Sequence, residues 1–415
     1  MKHTFTIRQI LCLLILGCLY ACGGSSTKQS QPQTRNKTEV SKLNWQQIEA
    51  QAKGQTVNLM MWMGDPLINA YMKKFVQAKL KEKYDIRLNI ISGQGKEIVS
   101  TLIAEKEAGK TNSEIDMMWI NGETFFQLKQ IKALYGPFTT QLPNARLINF
   151  NSRFINTDFQ QPVNGMECPW GNVQLALIYN SHQVKNPPKN LKELEQFVKA
   201  HPGKFTLGTE FTGITLLKSM LIALANEPKD LYGKFDQAKY DQYSAKLWQY
   251  LKRLKPYLWK KGKTFPSTLA AMHQMFANGE LWFTMSNNDC EVDNKIAQGT
   301  FPAWARAYVL ESGTIQNSHY LGITQTSPNK AAAMVAINYM ISPEAQYEKF
   351  KPAIWGDGTV LAMDKLPQNW QDKFAQLPTR KYAPKRADIQ QYALMELAPE
   401  YMIRLQEDFR KEIIK

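Results

Sequence analysis

Hydrophobic positions along this chain recur with two periods, and the change from one to the other marks out its elements. Val57-Asn58-Leu59-Met60-Met61-Trp62 is a short apolar run, the pattern of a buried strand. Met63-Gly64-Asp65-Pro66 follows, with Asp a favoured helix N-cap and Pro pre-set for a first helical turn. Ile68, Tyr71, Met72, Phe75, Val76 and Leu80 then fall at helical spacing. Arg87–Ile91 reads as a second strand, Ile98–Ala108 as a helix, and Ile115–Ile120 as a third strand. Asn121-Gly122 breaks that strand before a helix over Glu123–Leu128. The β-α-β-α-β order predicts a largely parallel sheet with helices on both faces.

A further strand begins around Pro169-Trp170-Gly171 and runs through Val173–Tyr179. Leu191, Leu194, Phe197 and Val198 share one helical face and open a second α/β unit. Residues 214–260 are expected to be helix-rich, with Tyr232, Tyr240, Tyr243, Trp248, Tyr250, Tyr257 and Trp259 packing between helices rather than caging a ligand. Gly279–Ser286 is a strand, residues 302–323 hold two strands broken at Gly313, and Ala331–Met340 and the remainder are mainly helical.

The N-terminus sets the compartment. Lys2 and Arg8 precede the uncharged apolar run Ile10–Leu19. That run is too short for a membrane span of about 20 residues but suits the core of a signal peptide. It ends in Leu19-Tyr20-Ala21-Cys22, which resembles the lipobox in which the cysteine is acylated and becomes the mature N-terminus. The alternative is an ordinary leader with an incidental Cys22. Residues 1–21 are therefore read as leader and 22–44, rich in Gly, Ser, Thr, Gln and Lys, as a flexible tether. About 370 residues remain, too many for one comfortable core and suited to two lobes.

Charge and chemistry narrow the function. The formal charge is +15, of which the leader removes two cations and no acid, leaving +13. So basic a chain attracts anionic surfaces. Its cations are scattered, with short runs at Lys79–Lys83 and Lys260–Lys263, and no arginine-rich stripe with interleaved aromatics points to nucleic acid. Past Cys22 only Cys168 and Cys290 remain, as buried thiols or as a pair. No His-Glu-x-x-His, G-x-S-x-G or paired Cys-x-x-Cys motif occurs. Gly93-Gln94-Gly95-Lys96 is followed by Glu97 rather than Ser or Thr, so it reads as a turn, not a phosphate loop. His182, His201, His273 and His319 are isolated, and no metal or cofactor is expected. The features that remain are strand-to-helix turns, where open α/β sheets bind ligands. Trp62-Met63-Gly64-Asp65-Pro66 and Asn121-Gly122-Glu123 both have that form.

Longer segments carry a resemblance. Gly313–Asn329 with Ile341–Gln346 resembles the return strand and following helix of type II periplasmic binding proteins. Trp45–Val57, Trp119–Glu123, Pro169–Gly171, Phe211–Gly213, Leu247–Leu251, Pro256–Trp259, Lys295–Gly299 and Trp355–Asp357 are similar, in order and spacing, to the Ynj-type ABC transporter solute-binding proteins. The resemblance covers 45–370 and fades at the C-terminus. It implies an α/β, two-lobed fold with a hinge between two mostly parallel sheets, crossed at about 165–175 and 300–310. Lobe 1 would comprise 45–168 and 303–345, and lobe 2 would comprise 169–302 and 346–415.

Function follows from the same resemblance. The protein would be a monomeric, lipid-anchored, extracytoplasmic binding protein, not an enzyme, handing a small solute to an ABC permease and its ATPase. Trp62, Gly64, Asp65, Asn121, Gly122 and Glu123 would line one wall of the cleft and Phe211, Thr212, Gly213 and Asn288 the other. Trp170, Tyr308, Asn317, His319 and Trp355 would lie near the hinge. Polyamine binders carry Trp and Asp where this chain has Asn317 and His319, and the paired tyrosines of ferric-ion binders are missing. A thiamine-like aromatic cation suits the Trp and carboxylate content best. An exported enzyme on the same fold, or a basic surface module for lipid or polyanion, are the competing readings. If Cys22 is the anchor, Cys22→Ala will release the protein from membranes or block its processing; a variant that fractionates like the parent would place the anchor elsewhere.

Overall fold

The apolar run after Gln55 becomes the middle of a sheet. In the computed structural model, which describes residues 39–415, β1 (Thr56–Met61) pairs in parallel with β2 (Arg87–Ser92) and with β3 (Met117–Ile120). Strand alternation sends Val57, Leu59 and Met61 to one apolar cluster and Met60 to another, so both faces of the sheet are covered. The leader, Cys22 and most of the expected tether lie outside the described residues. The fold begins inside the last part of that tether: Val40 is buried in the first cluster, and Asn44 caps the helix Trp45–Ala52.

A small hairpin, β4 (Thr157–Asp158) with β5 (Gln161–Pro162), precedes β6 (Glu167–Gln174). After Leu175 the chain continues as β7 (Ala176–Asn180). β8 (Phe283–Ser286), β9 (Ala305–Tyr308), β10 (Thr314–Ile323) and β11 (Ala393–Leu394) complete the strands described. The larger sheet runs β11-β10-β3-β1-β2, with β6 also on β10; the smaller runs β8-β7-β9. The expectation of mostly parallel sheets holds for β1–β3. β10 is antiparallel to both β3 and β6, and both pairs of the second sheet are antiparallel. Chain direction explains this. β6 leads into β7 outward across the molecule and β9 leads into β10 back again, so β7 and β9 lie side by side in opposite senses without any crossover helix.

The chain thus passes between the sheets at Leu175 and at Val309–Gly313, the second overlapping the end of the 300–310 segment expected. Each sheet has its own core. Leu177, Phe283 and Met285 pack with the helices Phe211–Leu224 and Gln237–Leu254. Downstream of β10 the chain serves both: Trp355, Val360, Leu361, Leu366 and Phe374 join the first sheet's core, and Leu397, Tyr401, Leu405 and Phe409 the second's. Cys168 and Cys290 are buried free thiols. No described helix is long and apolar enough to cross a membrane.

The helix Lys330–Met340 is buried at every position from Ala331 to Met340 and lies against Trp45–Ala52. Its Ala331, Ala332, Ala333 and Ala336 allow that close approach. Ala332→Leu would overfill the site and lower stability by about 1–3 kcal/mol, read as an earlier urea midpoint with an unchanged slope.

Candidate functional site

Because Met60 lies opposite Met118 in parallel register, β1 and β3 end at the same edge of the sheet. The two turns noted in the sequence therefore leave side by side. In the first, Asp65 Oδ1 accepts from the N–H groups of Leu67 (2.8 Å) and Ile68 (3.2 Å), capping the helix that Pro66 opens. The Trp62 ring folds over Gly64, where a Cβ would come within 2.4 Å of it. Trp62 remains 39% exposed and meets Trp119 edge-on at 6.5 Å. In the second turn Asn121 caps Gly122–Gln130, and Gly122 admits the Phe159 ring, which a Cβ would approach to 2.0 Å.

Asp65 is not free to serve a solute, as its place in the turn implied. Its Oδ2 accepts from Lys295 Nζ at 2.7 Å. Lys295 sits on the helix Glu291–Ala297, whose Val292 packs with Ile178 and Phe276 beside the second sheet. One ion pair thereby spans the two sheets. Glu291 lies 3.5 Å from Lys295 and 3.4 Å from His273. Burial opposes ionisation of Glu291, but His273, Lys295 and Ser286 outweigh it and bring its pKa down to about 2. Glu123, by contrast, is half-buried and meets only the Gln127 amide, at 3.4 Å, among the described residues.

The residues expected near the hinge separate into three groups. Trp170 and Trp355 are buried with Trp119 and His319 in one aromatic cluster: Trp170 lies 5.2 Å from Trp119 and from Trp355, and His319 stacks on Trp355 at 5.8 Å. Beneath it Lys349 Nζ donates to the carbonyls of Trp170 (2.8 Å) and Gly358 (3.1 Å) and to the Asp357 carboxylate. His319 Nε2 is 3.0 Å from Asp357 Oδ2. A Cβ on Gly171 would fall 2.1 Å from His319 and 2.2 Å from Asp357, so this pair needs glycine there. Burial alone would raise the Asp357 carboxyl; His319 and the Lys349 ammonium outweigh it and hold it below the usual carboxylate range.

Asn317 belongs to a second group. Its amide donates to Glu396 (3.3 Å), whose carboxylate lies 2.8 Å from the fully buried Lys218 ammonium. The Phe159 and Phe211 rings flank that ammonium at 4.4 and 5.6 Å. Phe211, Thr212 and Gly213 open the helix Phe211–Leu224, and the Glu210 carboxylate accepts from the N–H groups of Thr212 (2.8 Å) and Gly213 (3.0 Å). This helix end already holds an anion of its own. Asn288 donates to the Trp355 carbonyl at 3.2 Å. Tyr308 forms the third group, packed against Tyr179 and Phe283 in the second sheet's core and away from the tryptophans.

Sequence reasoning did not single out Trp119, Lys218, Lys295, Lys349, Asp357 or Glu396 as site residues. Lys218 carried a signal, being the one charge within the apolar run Ile214–Leu224. Lys349 and Asp357 are near in sequence but fall in no recognisable motif, and Trp119, Lys295 and Glu396 gain meaning only from distant partners.

Two sheets joined by crossing strands, with paired helix-opening turns at one sheet edge, define the type II periplasmic-binding-protein fold. The TpPotD lipoprotein of Treponema pallidum aligns with a TM-score of 0.61 at 12% identity, over 86% of this chain and 99% of that one. A putative spermidine/putrescine ABC transporter protein from Listeria monocytogenes aligns with a TM-score of 0.58 at 14% identity, over 86% and 98%. The fructose-6-phosphate-bound AfuA of Actinobacillus pleuropneumoniae gives 0.59 at 15%, over 86% and 98%. The chain belongs to the bacterial extracellular solute-binding protein family, whose profile matches residues 70–379. It is 37% identical over 333 residues to protein YnjB of Escherichia coli (strain K12), covering 79% of this chain and 85% of that protein.

Asp357→Asn would leave the Lys349 ammonium buried without its counter-ion, a loss of about 3–5 kcal/mol. Asp357 and Glu291 have depressed folded pKa values, so their stabilisation is complete above the unfolded carboxyl value and is lost as pH falls through the folded one. Urea midpoints should therefore hold near neutrality and fall steeply below about pH 4, with a shallower fall in Asp357→Asn.

Proposed function

We propose that this extracellular solute-binding protein is a lipid-anchored carrier that closes two lobes on a small solute and presents it to an ABC permease. One lobe carries β1–β3, β6, β10 and the chain through Phe374. On this reading the other carries β7–β9 and the chain from about Arg380 onward, a division that differs from the 346–415 assignment implied by the resemblance. The lipobox-like Leu19–Cys22 supports the anchor, and a lipoprotein among the solved structures of this fold is consistent with it.

The solute we favour is a cation with a flat or delocalised part. The observation that carries this is the pairing, at one sheet edge, of the exposed Trp62 ring with a Glu123 carboxylate that no described cation meets. A ring face attracts cations, and a carboxylate in the first turn of a helix is favoured by the helix dipole. Asp65, Glu210 and Glu396 are already engaged, which leaves Glu123 as the charge available. Neighbours of the same fold are named for spermidine/putrescine, for fructose 6-phosphate and for iron, so the fold alone does not choose the ligand.

Calorimetry of Glu123→Gln against thiamine and an uncharged analogue tests this. The variant keeps the shape and removes the charge. Thiamine affinity should fall by roughly 2–5 kcal/mol while the melting temperature of the free protein stays put. Equal weakening for both compounds, or none, would remove Glu123 and the cationic reading together. A true solute should also raise the melting temperature by linkage and reduce the radius of gyration; if it does neither, the closing-lobe mechanism fails.

A further inference from the structure

Behind the strands that cross between the sheets lies a cavity of about 160 Å³. Alternation along β10 separates it from the turns described above: Gln316 and Ser318 share one face, Asn317 and His319 the other. On β6, Gln174 and Asn172 sit opposite Gln316 and Ser318. The cavity is bounded by Asn172, Gln174 and Gln316 on the strands, and by Asp289, Arg386 and Gln390 across from them. It lies apart from Trp62, Glu123 and the aromatic cluster.

Hydrogen-bond accounting gives it a chemistry. Gln316 Nε2 donates to Asn172 Oδ1 (2.5 Å), and Asn172 Nδ2 to Ser318 Oγ (2.8 Å). Gln174 Nε2, on a buried side chain, donates to Thr314 Oγ1 (3.1 Å) and the Ile389 carbonyl (3.3 Å). The Gln174 amide nitrogen thus uses both hydrogens, those of Gln316 and Asn172 use one each, and the carboxamide oxygens of Gln174 and Gln316 accept from no described group. At the far wall the buried Asp289 takes Arg380 Nη1 (2.5 Å), Arg386 Nε (3.1 Å) and the Gln174 N–H (3.2 Å). Two guanidinium groups on one carboxylate leave a surplus of one positive charge. Asp293 pairs with neither arginine; its carboxylate charge is held by the N–H groups of Lys381, Tyr382 and Ala383, so it acts on the guanidinium groups only at longer range. Asp388, on the same short helix as Arg386, is exposed to water. Arg386 Nη2 bonds the Gly356 carbonyl (2.9 Å), and its Nη1 has no acceptor among the described residues.

We propose that this cavity is a second ligand site, taking a small carboxylate that also carries a hydroxyl or ammonium donor. The carboxylate would pair with Arg386, and the donor would meet the free oxygens of Gln174 and Gln316. A water takes about 10–15 Å³ of such space, so a molecule of a few heavy atoms fits. Its place gives it leverage on closure. Gln174 is the last residue of β6 before the crossing at Leu175, and its main chain is bonded to Asp289 beside the second sheet. An occupant there would stiffen the crossing whether or not the transported solute is bound, so this site stands independently of the solute's identity.

Calorimetric titration of the mature protein with L-lactate and with glycine is the test, against lactamide and chloride as controls. One saturable site is expected for lactate or glycine and none for either control. Gln316→Met removes a carboxamide oxygen, and Arg386→Gln removes the charge. Arg386→Gln should weaken both ligands by about tenfold or more, as for loss of a hydrogen bond to a charged group; Gln316→Met should do the same for glycine, and weaken lactate, whose hydroxyl is neutral, by about threefold to tenfold. Arg386 also anchors Gly356 and Asp289, so if Arg386→Gln does not fold, Gln316→Met alone decides. A crystal grown with lactate should show it between Gln316 and Arg386. No saturable heat, equal binding of lactamide, unchanged affinity in Gln316→Met, or lactate located elsewhere would each overturn the proposal.

Discussion

One buried ammonium ties together the region where the two sheets meet. Lys349 has no exposed surface, and its three contacts bind β6 through Trp170, the following loop through Gly358, and the Asp357 carboxylate. A charge taken out of water costs several kcal/mol unless every partner is in place. The neighbouring geometry follows from that demand. Asp357 must face inward, His319 must lie against it, and β6 must carry a residue without a Cβ at Gly171. The tryptophans packed around the ammonium, with Trp170 at 5.6 Å and Trp355 at 5.3 Å, keep water away and add ring faces to its surroundings.

Several other buried charges are likewise held by partners of opposite sign. Lys218 is matched by Glu396, Lys295 by Asp65 and Glu291, and Asp289 by two arginines. The large positive surplus of the chain does not reside in these pairs. Asp158 and Glu167 are the exception, both buried with carboxyl oxygens that meet no described donor, and burial pushes both carboxyls up. On the proposed reading, Glu123 and the surroundings of Arg386 are the places left for a ligand to complete.

Much of the architecture was legible in the sequence because its causes are local. The apolar runs at Val57–Trp62 and Ile115–Ile120, the Asp65-Pro66 helix start and the break at Gly313 each act over a few residues, and each appears where the pattern put it. The antiparallel second sheet was not legible, since its sense depends on where the chain crosses at Leu175 rather than on any strand's own residues. The candidate site divides in the same way. Trp62, Gly64, Asp65 and Asn121 were found through turn chemistry. Lys295 was not, because a lysine 230 positions from its carboxylate leaves no trace in periodicity; Glu396 was missed for the same reason, and Lys349 because its pairing with nearby Asp357 follows no helix or strand period. Tyr308 shows the converse: an aromatic near a crossing can still be core.

The Asp65–Lys295 bridge has a consequence for signalling. Because this bond is made between side chains of the chain itself, on the proposed reading apposition alone is an ambiguous message: a permease sensing only the proximity of the two faces would dock idle carriers as readily as loaded ones. Fidelity then has to rest on a feature that cargo alone sets in order. Among the described residues Trp62 is the most exposed of the Trp, Tyr and Phe side chains, on the same turn as the Asp65 end of that bridge. Its indole, folded over Gly64 and edge-on to Trp119, still offers a face to solvent, and on the proposed reading it is placed to mark the difference between a carrier that is merely shut and one that is full.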